Sequence, residues 1–234
     1  MKYEGIFFDL DGTLLPMDND TFTKGYLGLL ARAVAPYGFE PKSMVSAMWK
    51  GVSAMVKNDG SRPNCDVFWE VFAGILGEFV MKYIPNFDAF YTDGFHQASQ
   101  FTAPTPLAAK AVALAHQKAH KVVLATNPLF PRVAVESRLS WIKLGSDDFD
   151  LVTDYSNSAY CKPNPEYYLD ICRRMGVDPR CCLMVGNNAE EDIRAAQAAG
   201  LSTFLLTDNL IAEGEIPETP KGSFDNLISY LEQL

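Results

Sequence analysis

Five short runs of consecutive apolar residues punctuate the chain: Ile6-Phe7-Phe8, Val122-Val123-Leu124-Ala125, Leu151-Val152, Cys182-Leu183-Met184-Val185 and Thr203-Phe204-Leu205-Leu206. Runs without polar alternation suit strands covered on both faces, as in a parallel sheet. The intervals between the later runs read as helices: Leu107 to His120, Glu166 to Met175, Glu190 to Ala199, and Phe224 to Leu234 at the end. Pro163 and Pro165 lead into the second of these, and Gly176 and Gly200 sit where the second and third should stop. Strands alternating with helices predict an α/β fold with a doubly wound parallel sheet, its active site at the carboxyl ends of the strands.

The stretch between the first two runs follows a different rhythm. Phe22, Tyr26, Leu29, Leu30, Ala33 and Val34 recur at helical spacing. So do Val45, Met48, Trp49, Val52, Met55 and Val56, and then Val67, Phe68, Val71, Phe72, Ile75 and Leu76. No strand pattern interrupts them, and the segment is too long for a loop. The expectation is an all-helical cap domain at 17–103, inserted into a core made of 1–16 and 104–234, with Pro104-Thr105-Pro106 as the return hinge.

Charge narrows the function. With 29 acidic and 20 basic residues among 234, the net charge is −9. A nucleic-acid or anionic-membrane surface needs clustered Lys and Arg, so neither partner is expected. No apolar run is long enough to span a bilayer, and the first residues show no signal-peptide pattern. The five cysteines have no metal-site spacing, which fits reduced thiols in a cytoplasmic protein.

The chemistry concentrates at Phe7-Phe8-Asp9-Leu10-Asp11-Gly12-Thr13-Leu14. Two carboxylates lie two residues apart at the exit of a buried strand, on the same side and roughly 7 Å apart if extended. Gly12 permits a turn there that most residues resist. Desolvating like charges together is expensive, and a divalent cation resolves it. The cation also lets a carboxylate approach a phosphate, which otherwise repels it by about 4 kcal/mol at ~4 Å and an effective dielectric near ~20. Standing alone, the same Asp-x-Asp would also suit a capping or purely metal-binding role.

Three further motifs follow in order: Thr126-Asn127 after the second run, Cys161-Lys162-Pro163-Asn164-Pro165, and Gly186-Asn187-Asn188-Ala189-Glu190-Glu191-Asp192 after the fourth. With Asp9 and Asp11 they resemble the haloacid dehalogenase superfamily, specifically its phosphatase branch with a helical cap after the first strand (phosphoglycolate phosphatase-like). The resemblance implies hydrolysis of a small phosphomonoester, such as a phosphorylated metabolite, through an aspartyl-phosphate on Asp9. It makes Asp11 the acid/base, an acid that the dehalogenase branch lacks because a halide leaves without a proton. Thr126 and the Asn127 amide would hold phosphate oxygens, and Lys162 would neutralise both phosphate and Asp9. Mg2+ is the implied cofactor, held by Asp9, the Asp11 carbonyl and waters, and completed by Asn187 and Asp192.

One departure stands in that last motif: Asn187 occupies a position where the family usually has Asp. Two other readings therefore remain beside the phosphatase: a phosphomutase using the same intermediate, and a catalytically attenuated binding protein. Lys50, Lys57 and Arg62 are cap cations that could meet a substrate, though ordinary surface charge is expected. His116 and His120, four apart on an expected helix, are taken as a solvated face. The chain is expected to be a monomer or homodimer.

Overall fold

A computed structural model describes residues 3–234. Six parallel strands form one sheet: β1 (Tyr3–Phe8), β2 (Ala119–Leu124), β3 (Leu151–Val152), β4 (Cys182–Gly186), β5 (Ser202–Leu206) and β6 (Lys221–Gly222), in the order β3-β2-β1-β4-β5-β6. Connections run outward in both directions from central β1, which creates the crevice where ligands bind in such sheets. Both faces are covered, as the unbroken apolar runs require. Ile6 and Phe8 point into one apolar cluster and Phe7 into the other, following the two-residue period of a strand.

The core helices are α5 (Leu107–Lys118), α6 (Arg132–Trp141), α7 (Pro165–Met175), α8 (Ala195–Ala198) and α9 (Phe224–Glu232). A π-helical turn over Ala189–Arg194 leads into α8. Asn164 caps α7 by accepting from the Glu166 amide, and Gly176 ends it in the left-handed conformation, where no side chain is strained.

Several expectations shift here. The helix expected over Leu107 to His120 stops at Lys118, and His120 lies in β2, so His116 and His120 do not share a helix face. His116 instead meets the Asp148 carbonyl at 2.9 Å. The sequence reading did not anticipate α6 or β6. The apolar positions of α6 are interrupted by Arg132, Glu136 and Arg138, and β6 is a two-residue edge strand beginning with a lysine.

The insertion contains α1 (Asn19–Val34), α2 (Pro41–Val56), α3 (Asn64–Leu76) and α4 (Ile84–Thr92), with 310 segments at Glu78–Tyr83 and Gly94–Phe101. A bridge between Met17 and Thr102 brings its entry and exit strands together, and the Ala103 amide donates to the Pro16 carbonyl at 2.8 Å. Its aromatic interior is continuous with one face of the sheet, forming a single apolar cluster. At its opposite end, fully buried Asn64 fastens the cap to the core. Its amide group donates to the Pro128 carbonyl at 3.3 Å and to Cys161 Sγ at 3.2 Å, while its backbone N–H donates to the Ser158 carbonyl at 2.9 Å.

Among the described residues no helix is long and apolar enough to cross a membrane. All five cysteines are free thiols.

Candidate active site

The site forms where β1 and β4 end side by side. Phe8 is in register with Val185, and the Asp9 amide continues the ladder by donating to the Val185 carbonyl at 2.9 Å. Beyond Asp9 the chain folds tightly on itself: the Thr13 and Leu15 amides both donate to the Leu10 carbonyl, at 3.1 and 2.9 Å. Gly12, at φ +84°, makes this turn possible. A Cβ on Gly12 would also stand 2.3 Å from the Asn187 side-chain nitrogen, so the glycine lets the two loops touch.

Buried Lys162 reaches Asp9 Oδ1 at 2.8 Å and Asp192 Oδ1 at 2.6 Å. Burial works against its ammonium, but Asp192 and Asp9 outweigh that and hold it well above the ordinary lysine value. The ammonium bridges the two carboxylates, and Lys162 is not among the residues lining the pocket that Asp9 and Asp11 line. The structure therefore places it as the counter-ion of Asp9. Thr13 Oγ1 lies 3.1 Å from Asp9 Oδ2 and 3.0 Å from Asn187 Oδ1, so its one proton can serve either oxygen.

Asp11 occupies a different environment. One of its carboxylate oxygens pairs with fully buried Arg138, while Oδ1 has no partner among the described residues. Burial raises the Asp11 pKa, Arg138 pulls it back and neighbouring Asp9 pushes it further up. The Arg138 guanidinium also lies 4.3 Å over the Phe130 ring, and its Nε donates to the Ala134 carbonyl at 3.1 Å. Arg138 was missed in the sequence. The available signal was a cation on the buried face of a helix, next to Ala134, Val135 and Leu139; a fully buried arginine almost always has a partner.

Thr126 is buried beside Asp9 and lines the pocket. Its carbonyl accepts from the Thr153 and Tyr167 hydroxyls, both at 2.8 Å, while its own hydroxyl has no protein partner among the described residues. Asn127 also lines the pocket, and its side chain donates to Glu191 Oε2 at 3.0 Å and accepts from the Lys162 amide at 3.3 Å.

The loop after β4 explains part of its own departure from the acidic pattern. Asn188 accepts from the Glu190 and Glu191 amides at 3.0 and 3.1 Å, so its side chain caps the turn that follows. Asn187 donates to the Asn209 carbonyl at 2.6 Å, which points its oxygen toward Thr13. Asp192 is spent on both sides, with Oδ1 on Lys162 and Oδ2 accepting from the Asn188 amide at 2.9 Å. Burial pushes Asp192 up to about 7, with Lys162 opposing and Asp9 reinforcing. A Cβ on Gly186 would stand 2.3 Å from the Asp192 side chain, so glycine gives that carboxylate room against the strand.

The charge balance indicates what the site can hold. Asp9, Asp11, Glu191 and Asp192 line one pocket of about 200 Å3, and among the described residues only Lys162 and Arg138 form ion pairs with them. Four carboxylates against two cations leave two negative charges when all are ionised. Burial raises Glu191 as well as Asp11 and Asp192. Among the described residues no three His, Cys, Asp or Glu side chains form a ready-made metal cage. The donors on offer are hard oxygens, namely the Asp9 carboxylate, the Asn187 amide oxygen and main-chain carbonyls. Mg2+ suits such a set, because it takes one or two carboxylates and keeps several waters.

The family model described as haloacid dehalogenase-like hydrolase matches residues 3–200. A phosphoglycolate phosphatase from Aliivibrio fischeri is 29% identical over 213 residues, covering 86% of this chain and 83% of that protein. A glyceraldehyde 3-phosphate phosphatase from Methanothermobacter thermautotrophicus is 36% identical over 95 residues, and that match covers 40% of this chain and 42% of the relative, less than half its length. Among solved structures, a 2-haloacid dehalogenase from Pseudomonas syringae superposes with a TM-score of 0.65 at 19% identity, covering 99% of both chains. A predicted phosphoglycolate phosphatase from Haemophilus somnus gives 0.61 at 19% identity, covering 98% of both. The two share this fold under names that denote different reactions, so the choice between those chemistries rests with the side chains.

Proposed function

The chain belongs to the haloacid dehalogenase-like hydrolases, and we propose on that premise that it is a Mg2+-dependent phosphatase acting on a small phosphomonoester. One observation carries the choice: Asp11, a second, half-buried acid beside the nucleophile, has a raised pKa and an inaccessible oxygen, Oδ1, with no partner among the described residues. An alkoxide leaving phosphorus needs a proton, whereas a halide leaving carbon does not. A carboxyl group whose surroundings shift it toward the protonated form is suited to supply one.

In the first half-reaction an Asp9 oxygen attacks phosphorus, the bond from phosphorus to the ester oxygen breaks, and Asp11 passes its proton to the departing alkoxide. In the second, Asp11 takes a proton from water, the water oxygen attacks the same phosphorus, and the aspartyl–phosphate bond breaks. Asp9 returns as a carboxylate and inorganic phosphate leaves. Lys162 holds Asp9 in place throughout, and the Thr126 hydroxyl with the Asn127 backbone amide serves the non-bridging oxygens.

Mg2+ supplies charge neutralisation between Asp9 and the phosphate when bound. Asp9, the Asp11 carbonyl and Asn187 would hold it. Both Asp192 oxygens are already engaged, so its part is to anchor Lys162 and to add negative charge nearby. Two curated phosphatases among the relatives support the same reading.

Purified protein assayed with Mg2+ across a panel of phosphomonoesters should release inorganic phosphate, and Asp9→Asn should reduce turnover by several orders of magnitude. Conversion of a substrate without phosphate release would point instead to a mutase. A panel with no turnover at all would overturn the assignment.

A further inference from the structure

The catalytic pocket does not end at its carboxylates. Thr23, Leu129 and Phe130 line it and also line a second cavity that extends among the cap helices. That cavity has a volume of about 120 Å3, not far below the ~150 Å3 of an apolar cavity that takes up benzene. Its wall is largely aromatic, including Trp49, Phe68, Trp69, Phe87 and Tyr91. Trp49 remains 52% exposed, a large apolar surface left at the rim with nothing covering it.

The charges around this cavity are as informative as its rings. Among the described residues no Lys, Arg or His lines it. The cap cations considered as substrate readers are elsewhere: Arg62 pairs with Glu70, and Lys50 and Lys57 line neither cavity. Arg138 lies over the Phe130 ring and is committed to Asp11. The one carboxylate in the lining is Asp88, which has no ion-pair partner among the described residues. An anionic group seated here would lose water against apolar walls with no cation to receive it, and solvent-exposed Asp88 adds a like charge at the edge. An apolar ring would meet matching surface.

We infer that the substrate's leaving group is an uncharged, apolar alcohol about the size of one ring, seated among the cap aromatics, and that Asp88 turns away carboxylate-bearing leaving groups. This deepens the phosphatase reading and rests on it. The site is thus built for a different class of ester from phosphoglycolate, the substrate in the relative's name.

The test compares three esters of similar intrinsic reactivity with Mg2+ present: benzyl phosphate, methyl phosphate and phosphoglycolate. Benzyl phosphate should exceed both in kcat/KM by at least about tenfold, the scale of discrimination an apolar pocket gives. Trp69→Ala and, separately, the more exposed Trp49→Ala should cut the benzyl-to-methyl ratio severalfold, mainly through KM. Asp88→Asn should raise phosphoglycolate relative to methyl phosphate. Ratios within one preparation cancel any loss of folded protein.

Phosphoglycolate turned over as well as benzyl phosphate, with Asp9 still required, would overturn this inference and leave the phosphatase reading standing. An enzyme that hydrolyses none of the three yet releases phosphate from other esters of the panel would overturn this inference alone, and one that releases phosphate from no ester at all would bring down both.

Discussion

Two carboxylates two residues apart are chemically alike in the sequence, and their neighbours make them different. Asp9 accepts from Lys162 and Thr13, whereas Asp11 is paired on one side with Arg138 and orphaned on the other. Arg138 lowers the Asp11 pKa against the larger effect of burial. Replacing it with glutamine removes a lowering influence, so the Asp11 pKa should rise further. Because the first half-reaction needs Asp11 protonated, kcat/KM for an alkyl phosphate falls as pH climbs through that pKa. In Arg138→Gln this alkaline limb should therefore move to higher pH, and a limb that stays put or moves down would remove Arg138 from the acid's control. Losing one partner of this part-buried pair should also lower stability, by about 1–3 kcal/mol near neutral pH.

Asn187→Asp tests the metal assignment at the same scale. A carboxylate there adds charge where the ion would sit, so activity should saturate at a lower Mg2+ concentration. The substitution also sets an oxygen against the Asn209 carbonyl, which now receives a hydrogen bond at 2.6 Å. The variant should therefore melt below the wild type without Mg2+ and regain more than the wild type when the ion is added. An unchanged Mg2+ dependence would take Asn187 out of the metal shell.

At the level of elements, the cap owes its seat to a small polar staple beneath a broad apolar contact. Asn64 is fully buried, accepts from Asn58 at 2.9 Å and donates to core groups near Pro128 and Cys161. Asn64→Ala leaves these partners unsatisfied and should cost about 1–3 kcal/mol, or roughly 2–4 °C in Tm for each kcal/mol at this chain length. The melting temperature measures that loss. A loosened cap should also raise KM more than it lowers kcat.

The elements that carry the site were legible before any coordinates because they are extreme in pattern. Strands β1, β2, β4 and β5 each carry a continuous, largely apolar run, and the first three cap helices repeat their apolar residues at a clean helical period. Asp9, Asp11, Thr126, Asn127, Asn187 and Asp192 follow the ends of β1, β2 and β4, so parallel strand direction alone gathers them at one edge. Lys162 comes from a loop before α7, and periodicity could not have placed it. The parts that were missed are those that tertiary contacts create: α6 with its charged positions, the two-residue β6, and the end of α5 at Lys118 rather than His120. Arg138 belongs with them, because a buried cation is intelligible only once its carboxylate partner is known.

For the molecule as a whole, the net charge of −9 and the four-acid pocket indicate the same requirement. An acidic protein must bring its own cations to a phosphate, and here Lys162 and Arg138 are already committed to carboxylates. Turnover should therefore vanish on chelation of divalent ions and return with Mg2+. The sheet supplies the rigid edge on which the acids stand, and the inserted helices share one continuous apolar cluster with it.

The central claim is that Asp9 carries the phosphoryl group between the two half-reactions. The most direct measurement is acid quenching of the enzyme during turnover of a phosphorus-labelled ester, followed by peptide mapping of the label. The account predicts one phosphoryl group on the peptide containing Asp9, labile to base and absent from Asp9→Asn. Label recovered on any other side chain would contradict it.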